Sequence, residues 1–175
     1  MRTEAAAAPP KDFASLDALV RPRSVALIGA SDEPARIGGR PIAYMKSQGF
    51  KGAIYPVNPK RKTVQGLTAY AAVSDLPDAP DLGIVAVPGE LAIQALDALG
   101  EKGCRAAIVF TAGFAEVDEA GQAAQDRLTA VAKKHGIRML GPNCLGVFNA
   151  AIGFYGTFSA SFEKGWPIPG RIGIA

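Results

Sequence analysis

The chain has 175 residues and a mass of 18.1 kDa, with 49% apolar and 20% charged residues. This globular composition excludes a disordered chain and suits one domain, or one domain plus a fragment. The net charge of +3 is too small to imply nucleic acid by itself, and 7% aromatics exclude the many stacking platforms of a single-strand binder. Two cysteines, Cys104 and Cys144, form neither a disulfide framework nor a C-x-x-C pair, so reduced thiols and no metal site are expected. Residues 1–11 lack the apolar segment of a secretory signal, and no apolar run approaches the ~20 residues of a membrane span. The expectation is a cytoplasmic protein with no membrane partner.

In chain order, residues 1–12 read as a frayed, disordered leader. A short helix follows over 13–20, ending before Pro22. Residues 24–30 (SVALIGA) form an apolar run ending in Gly29-Ala30, which reads as a buried strand. A helix is predicted over 39–48, with Pro41 tolerated near its start. A second strand covers 53–57 and stops at Asn58-Pro59. A third, 82–87 (LGIVAV), stops at Pro88. Residues 90–102 read as a helix with Leu91, Ala95, Leu96 and Leu99 on one face. A fourth strand covers 106–110. The longest helix is predicted over 118–135, with Asp118 and Glu119 in its first turn and Lys133 and Lys134 in its last, as the helix dipole favours. Gly136 suits its left-handed cap, and a fifth strand follows over 137–140.

Near-continuous apolar strands suit a parallel sheet covered on both faces, and the strand–helix alternation gives an α/β, doubly wound, Rossmann-like fold with a mostly parallel sheet. Residues 145–163, rich in Gly, Phe and small side chains, read as irregular or as a short hairpin. Residues 164–170 (KGWPIPG) read as a linker, and 171–175 (RIGIA) as the opening of another strand. The expected division is therefore a leader at 1–12, the α/β domain at 13–150, and a linker with the truncated start of a second domain at 151–175.

In an open parallel sheet, ligands sit beyond the carboxyl ends of the strands, and the unusual loops all fall there. The first runs from Gly29 to Gly38-Gly39. Gly29 permits a tight turn, and Gly38-Gly39 would let a phosphate approach the N-terminus of the next helix, unless this is an ordinary glycine-rich turn. It is neither the compact G-x-G-x-x-G loop nor a loop closed by G-K-[ST]. The second, Val57-Asn58-Pro59-Lys60-Arg61-Lys62, offers three cations where a NAD site places an acid, which argues for a ligand with an extra ribose phosphate, NADP or coenzyme A. No acid occurs between Pro34 and Ser74, where seven basic residues lie, reading either as a solvated face or as a site for a compact polyanion. Glu116 suits a helix N-terminal carboxylate. Asn143 would hydrogen-bond an amide or hold its turn. Cys144 reads as a packed small residue, and His135 as a cation or cap at a helix C-terminus.

The segments RPRSVALIGAS, IGG, YPVNPK, VAVP, TAGFAE and GPNCLG, in that order, resemble the N-terminal CoA-binding domain of NDP-forming (ADP-forming) acyl-CoA synthetases and, more distantly, the succinyl-CoA synthetase alpha subunit. The match spans roughly residues 16–149. The resemblance implies that Gly29, Ser31 and the Ile37-Gly38-Gly39 turn line the region of the CoA phosphates. It sets Val57, Asn58, Pro59 and Lys60 beside the adenosine 3′-phosphate, and Val87-Pro88 and Ala112-Gly113-Phe114 along the nucleotide and pantetheine path. Pro142-Asn143 would face the next domain, near the thiol. It also implies partners: a downstream succinyl-CoA-synthetase-like domain carrying a phosphorylated histidine, and an ATP-grasp domain or subunit. No counterpart of that histidine is recognisable, so no catalytic residue is expected here. A stand-alone CoA-binding or sensor module, such as that of a protein acetyltransferase, and an NADP-dependent oxidoreductase domain are the alternatives.

Overall fold

In the computed structural model, which describes residues 16–170 and Gly173, the apolar runs become strands, of which the three central ones are buried on both faces. β1 (Ser24–Ile28), β2 (Ala53–Val57), β5 (Leu82–Val85), β6 (Ala106–Val109) and β7 (Arg138–Leu140) form one sheet in the order β2-β1-β5-β6-β7. Every pair in it is parallel, with Val25 opposite Ile54 on one side and Leu82 on the other. β3 (Thr63–Val64) and β4 (Leu67–Thr68) form a small hairpin, and β8 (Gly146–Asn149) and β9 (Phe154–Thr157) a second one. The predicted strands 24–30, 82–87 and 106–110 are each shorter at the carboxyl end, where the chain peels away into the loops that matter for ligand binding.

The helices are α1 (Asp17–Val20), α2 (Arg40–Ser47), α3 (Glu90–Glu101) and α4 (Glu119–His135). Two cores result, one on each face of the sheet. Ala26, Ile28, Val85 and Val109 pack under α3 and α4, against Leu96, Leu99 and Leu128. Val25, Leu27, Ile84 and Ile108 pack under α2 and the β8–β9 hairpin, against Ile42, Met45, Phe154 and Tyr155. The fold is thus doubly wound, as the sequence predicts. α4 begins at Asp118, whose carboxylate accepts the Gly121 N–H at 2.7 Å, and ends at Gly136 in the left-handed region (φ 65°), as expected.

Two expectations are corrected. Leu91 is 54% exposed, and the buried face of α3 is carried by Ala92, Ile93, Ala95, Leu96 and Leu99. Ala95, Leu96 and Leu99 of the predicted stripe are buried; Leu91, in the first turn, is not. The domain does not end at residue 150: the short hairpin expected within 145–163 forms as β8–β9 across that boundary, and Phe154 and Tyr155 are core residues. The following turn is fastened to α2 by hydrogen bonds from Tyr44 Oη to the Ser159 carbonyl (3.1 Å) and from Arg40 to the Phe158 carbonyl (3.2 Å). His135 stands among the basic residues of the last turn of α4, as expected, and its Nε2 lies 2.6 Å from Oδ1 of Asp97 on α3. The leader at 1–12, the first three residues of the helix predicted over 13–20, and the strand opening at 171–175 lie outside the described residues, apart from Gly173.

Candidate functional site at the carboxyl edge of the sheet

After β1 the chain connects to one side, through β2, and after β5 to the other. The carboxyl ends of β1 and β5 therefore diverge, and loops leaving them open a crevice at this switch point. Gly29 leaves β1 with φ +84°, and a Cβ there would lie 2.6 Å from the Ala86 carbonyl and 2.8 Å from Val87 Cγ1. Only glycine meets both demands. The N–H groups of Gly29 and Ala30 both donate to the Val57 carbonyl at 3.2 Å, which ties the loop to the end of β2.

The loop then closes on itself. Ser31 N–H donates to the Gly38 carbonyl at 3.1 Å. A Cβ on Gly38 would lie 2.1 Å from the Gly29 carbonyl oxygen, and one on Gly39 would lie 2.0 Å from that of Glu33. These glycines make room for the loop's own backbone, and a side chain at either position would break the turn. The N–H groups of Gly39 and Arg40 donate to the Arg36 carbonyl at 2.8 and 2.9 Å, so the start of α2 is partly capped from within.

An open cavity of about 730 Å³ lies over this loop, bounded by Gly29, Ser31, Arg36, Gly38, Asn58 and Arg61 among others, including Ile37. Its cations are Arg36 and Arg61. Arg36 Nε is paired with Glu33 at 2.6 Å and Arg61 with Asp32 at 3.3 Å. The side chains of both pairs are between 48% and 72% exposed, and such pairs contribute only about 0–1 kcal/mol each. An incoming phosphate therefore exchanges its charge for a carboxylate's at little cost. Lys60, the cation favoured by sequence, does not line the cavity; its N–H is held by Asn58 Oδ1 at 2.8 Å. Asn58 also donates to the Ala30 carbonyl at 2.8 Å. Val57, Pro59 and Gly39 do not line the cavity.

The remaining predicted residues form a row along the same edge. Thr111 Oγ1 donates to the Val87 carbonyl at 2.7 Å, and Asn143 N–H donates to the Thr111 carbonyl at 3.0 Å, so the three loops after β5, β6 and β7 are laced together. Glu116 folds back to accept the N–H groups of Gly113 (2.7 Å) and Phe114 (3.2 Å), which hold its carboxyl below the usual carboxylate range. It is a loop clasp, whereas a helix N-terminal carboxylate was expected. Phe114 is a core residue, 1% exposed. Cys144 packs its thiol toward the Val109 and Leu140 carbonyls (3.5 and 3.7 Å), and burial pushes its pKa up, as suits a packed residue. Val87, Pro88, Ala112, Gly113, Pro142 and Asn143 thus share the edge with the cavity but do not bound it. Among the described residues no cluster of His, Cys, Asp and Glu could hold a metal ion.

Sequence reasoning missed Arg61 as a lining residue and gave no role to Asp32 or Gln65. Asp32 and Glu33 sit just before the acid-free stretch and supply the carboxylates that Arg61 and Arg36 pair with. A larger cavity, about 970 Å³, lies at the opposite edge, lined by Arg21, Arg23, Asp81, Arg105 and Lys133 with neighbouring residues. It faces the amino ends of the strands, and topology favours the smaller one.

A parallel sheet in this order, with a glycine loop and two arginines at the switch point, defines an α/β nucleotide-binding domain. More narrowly, the chain belongs to the CoA binding domain family, whose profile matches residues 23–150, and coenzyme A is the ligand of that family. It is 39% identical over 151 residues to the alpha subunit of an ADP-forming acetate–CoA ligase II of Pyrococcus furiosus, covering 86% of this chain and 33% of that one. It is 41% identical over 134 residues to a trans-feruloyl-CoA synthase of an unknown prokaryotic organism, covering 77% and 19%. The structure of a dinucleotide-forming acetyl-coenzyme A synthetase 1 of Ca. Korarchaeum cryptofilum superposes with a TM-score of 0.77 at 36% identity, over 82% of this chain and 31% of that one. The chain spans a third or less of the length of each. Among the described residues no helix is long and apolar enough to cross a membrane.

Proposed function

We propose that the chain is the CoA-binding part of a cytoplasmic ADP-forming acyl-CoA ligase, acting with further domains or a second subunit that carry the phosphoryl transfer, including a succinyl-CoA-synthetase-like and an ATP-grasp unit. The observation that carries this reading is the cavity at the β1/β5 switch point, floored by the Gly29–Gly38 loop and flanked by Arg36 and Arg61. The relatives differ in the acid they activate and have CoA in common, which fits a domain that handles CoA and leaves acyl selection elsewhere.

In this reading the diphosphate lies against Gly29, Ser31 and the Ile37-Gly38-Gly39 turn. The adenosine 3′-phosphate lies toward Asn58-Pro59-Lys60 and Arg61, beside Val57. The pantetheine runs past Val87-Pro88 and Ala112-Gly113-Phe114 toward Pro142-Asn143. The packed unit extends past residue 150 through the β8–β9 hairpin, and any second domain begins beyond it.

Calorimetry tests the reading. CoA is expected to bind more tightly than dephospho-CoA, and NAD and NADPH poorly. Arg61→Ala removes a charge-assisted contact worth roughly 1.5–3 kcal/mol, about ten- to a hundredfold in affinity. It should cut the affinity for CoA while leaving dephospho-CoA nearly unchanged. Equal binding of CoA and dephospho-CoA by the unaltered chain would sink the 3′-phosphate assignment.

A further inference from the structure

The β3–β4 hairpin turns on Gln65 and Gly66, both with positive φ (+50° and +78°). Two-residue turns of this hand favour Asn-Gly or Gly-Gly, because those residues tolerate the left-handed region. A glutamine there is strained, and strain retained at one position points to a role. The bonds that Gln65 makes leave the hairpin altogether. Its side-chain amide Nε2 donates to the Ser31 carbonyl at 3.0 Å and to the Gly39 carbonyl at 2.9 Å. Its N–H donates to Asp32 Oδ1 at 2.6 Å, while Asp32 Oδ2 accepts from Arg61 at 3.3 Å. Its carbonyl accepts from Lys46 Nζ on α2. One turn residue therefore joins both limbs of the glycine loop, through Asp32 one of the two cations of the cavity, and the helix beyond.

The hairpin does not need these bonds in order to form. Its base is held by Ala69 N–H to the Lys62 carbonyl (2.9 Å), Tyr70 N–H to the Pro56 carbonyl (2.9 Å) and Asn58 N–H to the Tyr70 carbonyl (2.8 Å), with Val64 fully buried beneath.

We propose that Gln65 is a positioning residue for coenzyme A: its amide fixes the two limbs of loop 29–39 at the separation that shapes the cavity, and Asp32 extends the constraint to Arg61. The proposal rests on the CoA reading above. Gln65 does not line the cavity; it acts through Ser31, Asp32 and Gly39. Side-chain length is the discriminating feature. Asparagine suits the left-handed turn better than glutamine, but its amide is one methylene shorter and does not reach both carbonyls.

Gln65→Asn therefore separates turn stability from loop positioning, and Gln65→Ala removes the amide while keeping the backbone donor to Asp32. Three measurements on the unaltered chain and both variants test the idea: thermal melting, exchange of the Ser31 N–H by NMR without ligand, and calorimetric titration with CoA. Gln65→Asn should melt no lower than the unaltered chain. Both variants should exchange the Ser31 N–H faster and bind CoA about tenfold more weakly, the effect of losing about one hydrogen bond. Unchanged Ser31 exchange in both variants overturns the latch, whatever CoA does. Faster exchange with undiminished CoA affinity overturns its role in binding. An unaltered chain that binds no CoA, with exchange accelerated in the variants, overturns the ligand assignment instead; the exchange arm holds no ligand, so the two failures are distinguishable.

Discussion

Gly29 carries two constraints that no other residue meets together. Its φ of +84° strains any L side chain, and a Cβ would press on the backbone carbonyl of Ala86 at 2.6 Å, an atom that cannot swing aside. Gly29→Ala is expected to cost roughly 2–3 kcal/mol and to lower the melting temperature by about 4–10 °C, with weakened CoA binding as the loop shifts. A thermal melt that moves by less than a degree would show that the loop absorbs the methyl. The need for glycine here was legible in sequence, because a glycine directly after a buried strand and before a helix has few other uses. The choice between Lys60 and Arg61 was not legible. It depends on the Asn58 side chain catching the Lys60 N–H, which sets the turn and leaves Arg61 on the lining. Composition records three adjacent cations and not their directions. Gln65 was invisible for a related reason: its function lies in bonds to residues 26 to 34 positions away, and Gln-Gly is not a common hairpin signal.

At the scale of elements, the sheet and its helices were legible wherever burial was two-sided, because nearly continuous apolar runs leave little choice. The two-residue strands β3 and β4 were not, since Thr-Val and Leu-Thr are too short to show a period. Strand starts are joined at the amino edge by Asp81, whose carboxylate is only 13% exposed. It accepts the Arg23 N–H at 2.9 Å and Nε at 3.0 Å and lies 3.6 Å from Arg105, while its own N–H donates to Ser24 Oγ at 2.9 Å. This one residue links the beginnings of β1, β5 and β6. Hydrogen bonding to Arg23 lowers its pKa. A carboxylate lowered in the folded state adds stability above its unfolded pKa, about 3.9, and that stability is lost as pH falls through the folded value. Asp81→Asn is therefore expected to be less stable by about 1–2 kcal/mol at pH 7, and the gap should narrow at a pH below the unfolded value. Urea midpoints measured at both pH values check this. A gap that persists unchanged in acid would mean that the amide disturbs packing and that charge is not the cause.

At the scale of the whole molecule, the two edges of the sheet divide the work. Glycine turns, paired arginines and laced loops collect at the carboxyl edge, while the amino edge is held by Asp81 and its arginines. The single histidine of the sequence, His135, belongs to the amino edge. Its side chain is 14% exposed and sits 2.6 Å from Asp97, which Lys134 also contacts at 2.9 Å. A phosphoryl carrier has to reach two sites in turn, and a ring held between two helices at the edge opposite the proposed CoA site is badly placed for either. Cys104 is 2% exposed, with burial pushing its pKa up to about 11, so it offers no thiolate at neutral pH. Cys144 is shifted in the same direction. The chain by itself is therefore expected to bind CoA and turn over nothing. Incubated with ATP, acetate and CoA it should yield neither acetyl-CoA nor a phosphorylated chain. Adding the ATP-grasp and succinyl-CoA-synthetase-like parts of an ADP-forming ligase should supply the missing step. Phosphate incorporation into the isolated chain that vanishes in His135→Asn would overturn this division and place the carrier at the amino edge.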